Sequence, residues 1–106
     1  MNFSINHKVF DYITSSPKKI SKNGIFFISR ECDKFLLGFI IPKSLGSASL
    51  RNRFKRRCRS VLQQFNKNGG LSSFGVIIKP KMININYCDI NQSIALWVAS
   101  LKKIPS

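Results

Sequence analysis

Residues Gly38 to Ser60 read GFIIPKSLGSASLRNRFKRRCRS, an apolar run, a breaker-rich turn and a long amphipathic segment in immediate succession. The run begins upstream, at Phe35, and FLLGFII from Phe35 to Ile41 has the aliphatic and aromatic content of a strand. Pro42-Lys43-Ser44-Leu45-Gly46 interrupts it, and Ser47 or Ser49 is placed to cap a helix running to about Phe65, before Asn68-Gly69-Gly70. At about 100° per residue, Leu50, Phe54, Cys58, Val61, Leu62 and Phe65 fall within one arc of about 120°. A helix with that arc needs a sheet or another helix to cover it.

The opposite side of the same helix is cationic. Arg51-Asn52-Arg53-Phe54-Lys55-Arg56-Arg57-Cys58-Arg59 holds six cations in nine residues, and only Phe54 and Cys58 point inward. Arg51, Lys55 and Arg59 form one i, i+4, i+8 row, Asn52 and Arg56 lie opposite the apolar arc, and Arg53 and Arg57 flank its other edge. Like charges at that spacing oppose the helix by a few tenths of a kcal/mol per pair, so something outside the chain is expected to offset them. Guanidinium groups bond phosphate in bidentate fashion and stack on bases, and an amide such as that of Asn52 reads a base edge or a 2′-hydroxyl. A solvated helix face usually carries interleaved carboxylates, yet no Asp or Glu occurs between Asp33 and Asp89. A membrane-surface helix needs its apolar face free, whereas this one is required by the core. Nucleic acid is the partner these residues favour.

Working outward, Phe74 to Lys79 (FGVIIK) is a further strand, stopped by Pro80. The unit of strand, helix and strand makes Phe35–Ile41 and Phe74–Lys79 parallel if they share a sheet. Upstream, Ile25 to Arg30 (IFFISR) is separated from Phe35 by Glu31-Cys32-Asp33-Lys34, which predicts a β-hairpin between the two apolar runs. Neither run alternates cleanly, as expected of strands covered on two faces. From Asn6 to Thr14 a first helix places Val9, Phe10 and Ile13 on one side and closes at Ser15-Ser16-Pro17. A Lys- and Ser-rich loop then leads to Asn23-Gly24. A last helix is expected from Asp89, with Gln92 completing a capping box. Ile90, Ile94, Trp97, Val98 and Leu101 form its buried stripe, Lys102-Lys103 its last turn, and Pro105 lies beyond. Trp97 reads as core. The expectation is an α+β domain with helices packed on a small sheet and one further strand left open.

The 106 residues and 12.1 kDa are one domain's length, and 43% hydrophobic content suffices for a core without metal or disulfide staples. Eighteen Lys and Arg against four Asp and Glu leave a formal charge of +14 and a pI of about 10.4, which again calls for a polyanion. Cys32, Cys58 and Cys88 are odd in number, unpaired by any CxxC, and accompanied by one histidine, His7. That pattern favours neither a zinc site nor a disulfide framework and fits reduced thiols in the cytoplasm. No apolar run is long enough to cross a bilayer, and MNFSINHKVF does not read as a secretory signal. His7 and four scattered acids make a self-sufficient two-metal nuclease a poor reading.

A second feature is aromatic. Phe10 on the first helix, with Phe26, Phe27, Phe35 and Phe39 on the strands, offers rings for stacking unpaired bases, although any single one is more readily core.

The Gly38–Ser60 stretch resembles the signature of the bacterial ribonuclease P protein subunit family, sharply there and in outline over the whole chain. Arg51, Asn52, Arg53, Lys55, Arg56 and Arg59 stand at its arginine-rich positions. The turn departs from the family's usual Ser-Lys-Lys, reading Pro42-Lys43-Ser44, and the chain start lacks the usual basic cluster. The resemblance implies a single RNA-binding domain over residues 1–106, of α-β-β-β-α-β-α order. It also implies a mixed sheet, a ribosomal-protein-like fold and a left-handed βαβ crossover, against the usual hand. It further implies an enzyme that cuts the 5′ leader from precursor tRNA, in which the RNA subunit with bound Mg²⁺ performs hydrolysis. The protein then contributes no catalytic group, binds no metal of its own, and sits in the complex as a monomer.

Carried onto this sequence, Arg51, Asn52, Arg53, Lys55, Arg56 and Arg59 contact the RNA subunit, and Lys43 adds a phosphate contact. A cleft between the first helix and the sheet takes the leader, with Phe10, Phe26 and Ile28 as its candidates. The first-helix pair facing that cleft is either Val9/Ile13 or Phe10/Thr14. A structural ribosomal protein is the alternative that shares size, charge and basic helix. A duplex-DNA regulator is a second rival, distinguished by its preference for duplex DNA over structured RNA.

Overall fold

Asn23 (φ 55°) and Gly24 (φ 78°) both adopt left-handed backbone, the geometry a two-residue hairpin turn demands and Asn-Gly supplies at least cost. The computed structural model describes residues 7–16, 18–67, 70–71 and 73–101. Its elements are α1 (His7–Thr14), β1 (Lys19–Lys22), β2 (Ile25–Glu31), β3 (Leu36–Phe39), a 3-10 turn (Lys43–Leu45), α2 (Ala48–Phe65), β4 (Phe74–Pro80) and α3 (Tyr87–Leu101). This is the α-β-β-β-α-β-α order. Asn6, Pro17, Asn68, Gly69, Lys102, Lys103 and Pro105, which entered the expectations above, lie outside the described residues.

The four strands form one mixed sheet in the order β1-β2-β4-β3. β4 runs antiparallel to β2, with Phe27 opposite Ile78, and parallel to β3, with Leu37 opposite Val76. The parallel β3–α2–β4 unit is therefore as expected. The hairpin between Ile25–Arg30 and Phe35–Ile41 is not: β4 lies between these strands, and Asn23-Gly24 instead joins β2 to β1, in the stretch expected to be loop. Val76, Ile77 and Ile78 are each wholly buried, so this strand is covered on both faces, and β2 and β3 pair with its two edges. A β2–β3 hairpin would have pushed it to an edge.

Alternation assigns the faces. Ile25 and Phe27 of β2, Leu37 of β3 and Val76 and Ile78 of β4 join the main core with α2 and α3. From α2 come Phe54, Cys58, Val61 and Leu62; from α3, Ile90, Ile94, Trp97 and Val98. Trp97 stacks on Phe27 at 5.9 Å and 11°, and Phe54 meets Phe39 edge-on at 6.3 Å. Leu50 departs from the expected arc: it is 38% exposed, in the first turn at the margin of the core. The last helix also begins earlier than expected, since Asn86 Oδ1 accepts from the Asp89 amide at 2.8 Å and so caps it. Asp89 sits within the first turn, where its charge suits the helix dipole.

The other face of the sheet is partly covered by α1. Ile13 is fully buried there, and Arg30 ties the helix down, bonding Tyr12 O at 2.9 Å and Ser15 Oγ at 3.0 Å while lying 4.4 Å from the Tyr12 ring centre. Gly75 permits the approach: a Cβ there would stand 2.5 Å from Ile13 Cδ1 and 2.8 Å from Cys32 Sγ. Gly75→Ala should therefore lower stability by about 1–3 kcal/mol. Adding Ile13→Ala should not lower it by the full sum of the two single changes, since the shortened side chain relieves the closer of the two approaches and leaves only that to Cys32 Sγ. Urea midpoints of the three variants measure this.

Candidate nucleic-acid interface

The helix that carries the cations is set by its cap and its apolar arc. Ser47 Oγ accepts the Leu50 amide at 3.2 Å, choosing Ser47 over Ser49 as the N-cap. Burial of Phe54 and Cys58 then turns the remaining positions of Arg51–Arg59 away from the sheet. Asn52, Arg56 and Arg59 are exposed, and Arg51, Arg53 and Lys55 are half-buried. Lys43 is exposed on the 3-10 turn that leads into the helix. The seven side chains singled out from the sequence thus occupy one helix and the turn before it.

Several of these cations are already oriented. Arg51 Nε donates to Gly46 O at 3.3 Å, and the Arg59 guanidinium lies 5.6 Å from the Phe39 ring centre. Arg57 differs from the rest, its Nη1 donating to Ile85 O at 3.1 Å and holding the segment before α3. Among the described residues no carboxylate forms an ion pair with a cation of α2; the ion pair found is His7 Nε2 with Asp11, at 3.5 Å. The ridge's charge is therefore uncompensated within the described chain.

The second candidate surface lies on the sheet face that α1 leaves open. Phe26 is 36% exposed, and Phe10 and Ile28 are half-buried. Register places Phe26 between Ser21 and Lys79, and Ile28 between Lys19 and Ile77. Phe27 and Phe35 are buried and Phe39 packs on Phe54, so the open aromatic surface is smaller than the sequence suggested. Because docking consumes Ile13 entirely, Phe10/Thr14 is the first-helix pair that keeps some exposure. The flank of α1 toward the β2–β3 connection carries a cavity of about 400 Å³, lined by Val9, Tyr12, Cys32 and Leu36 with charged neighbours. Lys79 was missed by sequence reading, although alternation along β4 puts it on the face of Gly75 and Ile77.

Among the described residues no three of His, Cys, Asp and Glu come together as a metal site, and no helix is long and apolar enough to cross a membrane. Cys58, at the centre of the inner face of α2, has its thiol pushed up to about 12 by burial, with the Arg59 charge opposing the shift. Burial likewise raises Cys32, against a backbone hydrogen bond from Gly75.

A small α+β domain with a cationic helix crossing between parallel strands is the class this geometry defines. The family model described as Ribonuclease P matches residues 5–102, and the chain belongs to that family. It is similar to the ribonuclease P protein component of Streptococcus pneumoniae, 31% identical over 99 residues, spanning 82% of this chain and 78% of that one. The same-named protein of Mycoplasma mobile is 28% identical over 85 residues, 80% of this chain and 76% of that one. The fold matches the RNase P protein of Staphylococcus aureus with a TM-score of 0.76 at 20% identity over the whole of both chains. It matches that of Thermotoga maritima with 0.73 at 18% identity, over 97% of this chain and 98% of the other.

The Cys58 thiol gives a pH prediction. The folded protein keeps it protonated, whereas the unfolded chain ionises it near the ordinary value of 9.0. Its contribution to stability is therefore constant below about pH 9 and falls toward pH 12, by up to about 1.4 kcal/mol per pH unit. The stability gap between the native chain and Cys58→Ala should narrow over that window. A thiol reagent at neutral pH should label exposed Cys88 in the folded protein and Cys58 only on unfolding.

Proposed function

We propose that this chain is the protein subunit of ribonuclease P, binding the catalytic RNA subunit and the 5′ leader of precursor tRNA to promote endonucleolytic 5′ maturation in the cytoplasm. The observation that carries the proposal is the α2 ridge, cations without carboxylate partners on a helix whose inner side is committed to the core, in a chain of this family. Lys43, Arg51, Asn52, Arg53, Lys55, Arg56 and Arg59 hold the RNA subunit through phosphate contacts, and Asn52 reaches a base edge or 2′-hydroxyl. The leader lies along the open sheet face, where Phe10, Phe26 and Ile28 give apolar surface for unpaired bases.

The protein's part is electrostatic and positional. Neutralising phosphates lowers the Mg²⁺ needed to compact the RNA, and gripping substrate and ribozyme on separate surfaces of one rigid domain holds the scissile bond near the reacting centre. Hydrolysis belongs to Mg²⁺ held by the RNA subunit. The chain acts as a monomer in the complex.

The decisive assay is precursor-tRNA cleavage by a bacterial RNase P RNA at low Mg²⁺, with and without this protein, beside a protein-only lane and a leaderless tRNA. Accurate 5′ cleavage only when RNA and protein are both present is expected. Tight RNA binding without rescue would instead support a structural ribosomal role. Arg51→Ala and Arg56→Ala should each weaken assembly with the RNA subunit and reduce its salt slope by about 0.7–0.9. Phe26→Ala should weaken precursor binding about tenfold while sparing mature tRNA. If both classes of variant affect only assembly, the separate leader surface is wrong.

A further inference from the structure

One flank of α2 is followed along its length by the segment that connects β4 to α3. A Cβ at Gly46 would stand 2.8 Å from Ile83 Cδ1 and 3.4 Å from Leu50 Cδ1, so the segment meets the helix at its first turn. Further along, Arg57 Nη1 bonds Ile85 O at 3.1 Å, and the Tyr87 hydroxyl lies 3.4 Å from both Ser60 Oγ and Gln64 Nε2. Residues 83, 85 and 87 thus keep step with 50, 57, 60 and 64, one stripe of the helix surface. Arg53 is the stripe position between Leu50 and Arg57, and it falls opposite the stretch that carries Asn84.

The strap alternates like a strand although it has no ladder. Ile83 and Ile85 are buried in the core, while Met82, Asn84 and Asn86 are exposed, Met82 at 56%. Asn86 is occupied as the cap of α3, which leaves Met82 and Asn84 without a structural duty of that kind. Among the described residues six large apolar side chains are exposed, and three of them, Leu50, Met82 and Tyr87, border this seam. Exposed apolar side chains along the flank that carries Arg53 and Arg57, in a stretch with no carboxylate between Asp33 and Asp89, suit neither a basic nor a neutral protein surface as well as they suit a polyanion with apolar faces.

We propose that the strap of residues 81–86 and the adjoining flank of α2 form a second RNA-binding seam, which takes unpaired nucleotides of the RNA subunit. Met82, Leu50 and Tyr87 lie against base faces, Asn84 meets a base edge, and Arg53 holds a flanking phosphate. The seam widens the interface of α2 from a charge ridge, which any RNA satisfies, to one that favours RNA with splayed bases at this place. The inference rests on reading α2 as the helix that binds the RNA subunit.

The test uses the full chain and an RNase P RNA subunit, titrated over a range of salt concentrations. The double variant Met82→Ser/Asn84→Ala changes exposed side chains only, and its thermal unfolding midpoint is compared with that of the native chain to confirm folding. Its affinity is expected to fall about tenfold at every salt concentration with the salt slope unchanged, because no phosphate contact is lost. Arg56→Ala, run beside it, should lower both affinity and slope. Affinity of the double variant within twofold of native, with Arg56→Ala weakened, overturns the seam alone. A reduced slope in the double variant also overturns it, since packing on bases releases no counterions. If Arg56→Ala too binds like the native chain, the reading of α2 itself fails.

Discussion

Burial of β4 on both faces is the constraint from which the rest of the architecture follows. Val76, Ile77 and Ile78 are consecutive, fully buried and drawn into opposite sides of the sheet. A strand of that kind needs a partner on each edge, which β2 and β3 provide, and a helical layer over each face, which α2 with α3 and then α1 provide. An edge position would strip lateral cover from these side chains, and each one that becomes exposed costs about 1.5–3 kcal/mol. Gly75, one residue ahead, completes the arrangement by letting Ile13 of α1 descend onto the sheet.

That layering creates two surfaces of different character. On one side, α2 gives its apolar arc to the core and turns its cations to solvent, so the ridge's position is a by-product of how Phe54 and Cys58 are buried. The cysteine suits its place because a small, uncharged side chain fits under the arginines, and burial keeps its thiol protonated. On the other side, α1 is too short to cover the whole sheet, and Phe26 with Lys79 remains accessible beside it.

Helical features were legible in advance because a helix is a local object. The 3.6-residue period of Phe54–Phe65 and Ile90–Leu101 separates buried from solvent positions without knowledge of the partner, and it puts Trp97 in the core, whereas Leu50, in the first turn, escapes it. The same period sets the helical positions Arg51, Asn52, Arg53, Lys55, Arg56 and Arg59 off from the buried arc, whereas Lys43 lies on the turn before the helix and is drawn from the family resemblance alone. Sheet features were less legible. Ile25–Arg30 and Phe35–Ile41 have equal claims to pair with each other or with a third strand, and Lys19–Lys22 carries only Ile20 as an apolar residue. β1 exists because the Asn23-Gly24 turn folds it onto β2, where Ser93 Oγ lies 3.1 Å from Lys22 O and Asn23 Nδ2 bonds both Asp89 O and Ser93 Oγ at 3.2 Å. Those partners lie 66 to 71 residues away in sequence.

By itself the sequence determined the charge, the cationic helix and which of its residues face outward, and the two long apolar stripes. All of these depend on spacing within one segment. Only the tertiary structure decided which strand is central, that the hairpin forms at Asn23-Gly24, which aromatic rings stay open, and that the 81–86 strap runs beside α2. Each of those is a choice among partners of similar local propensity, settled by how completely one arrangement buries β4.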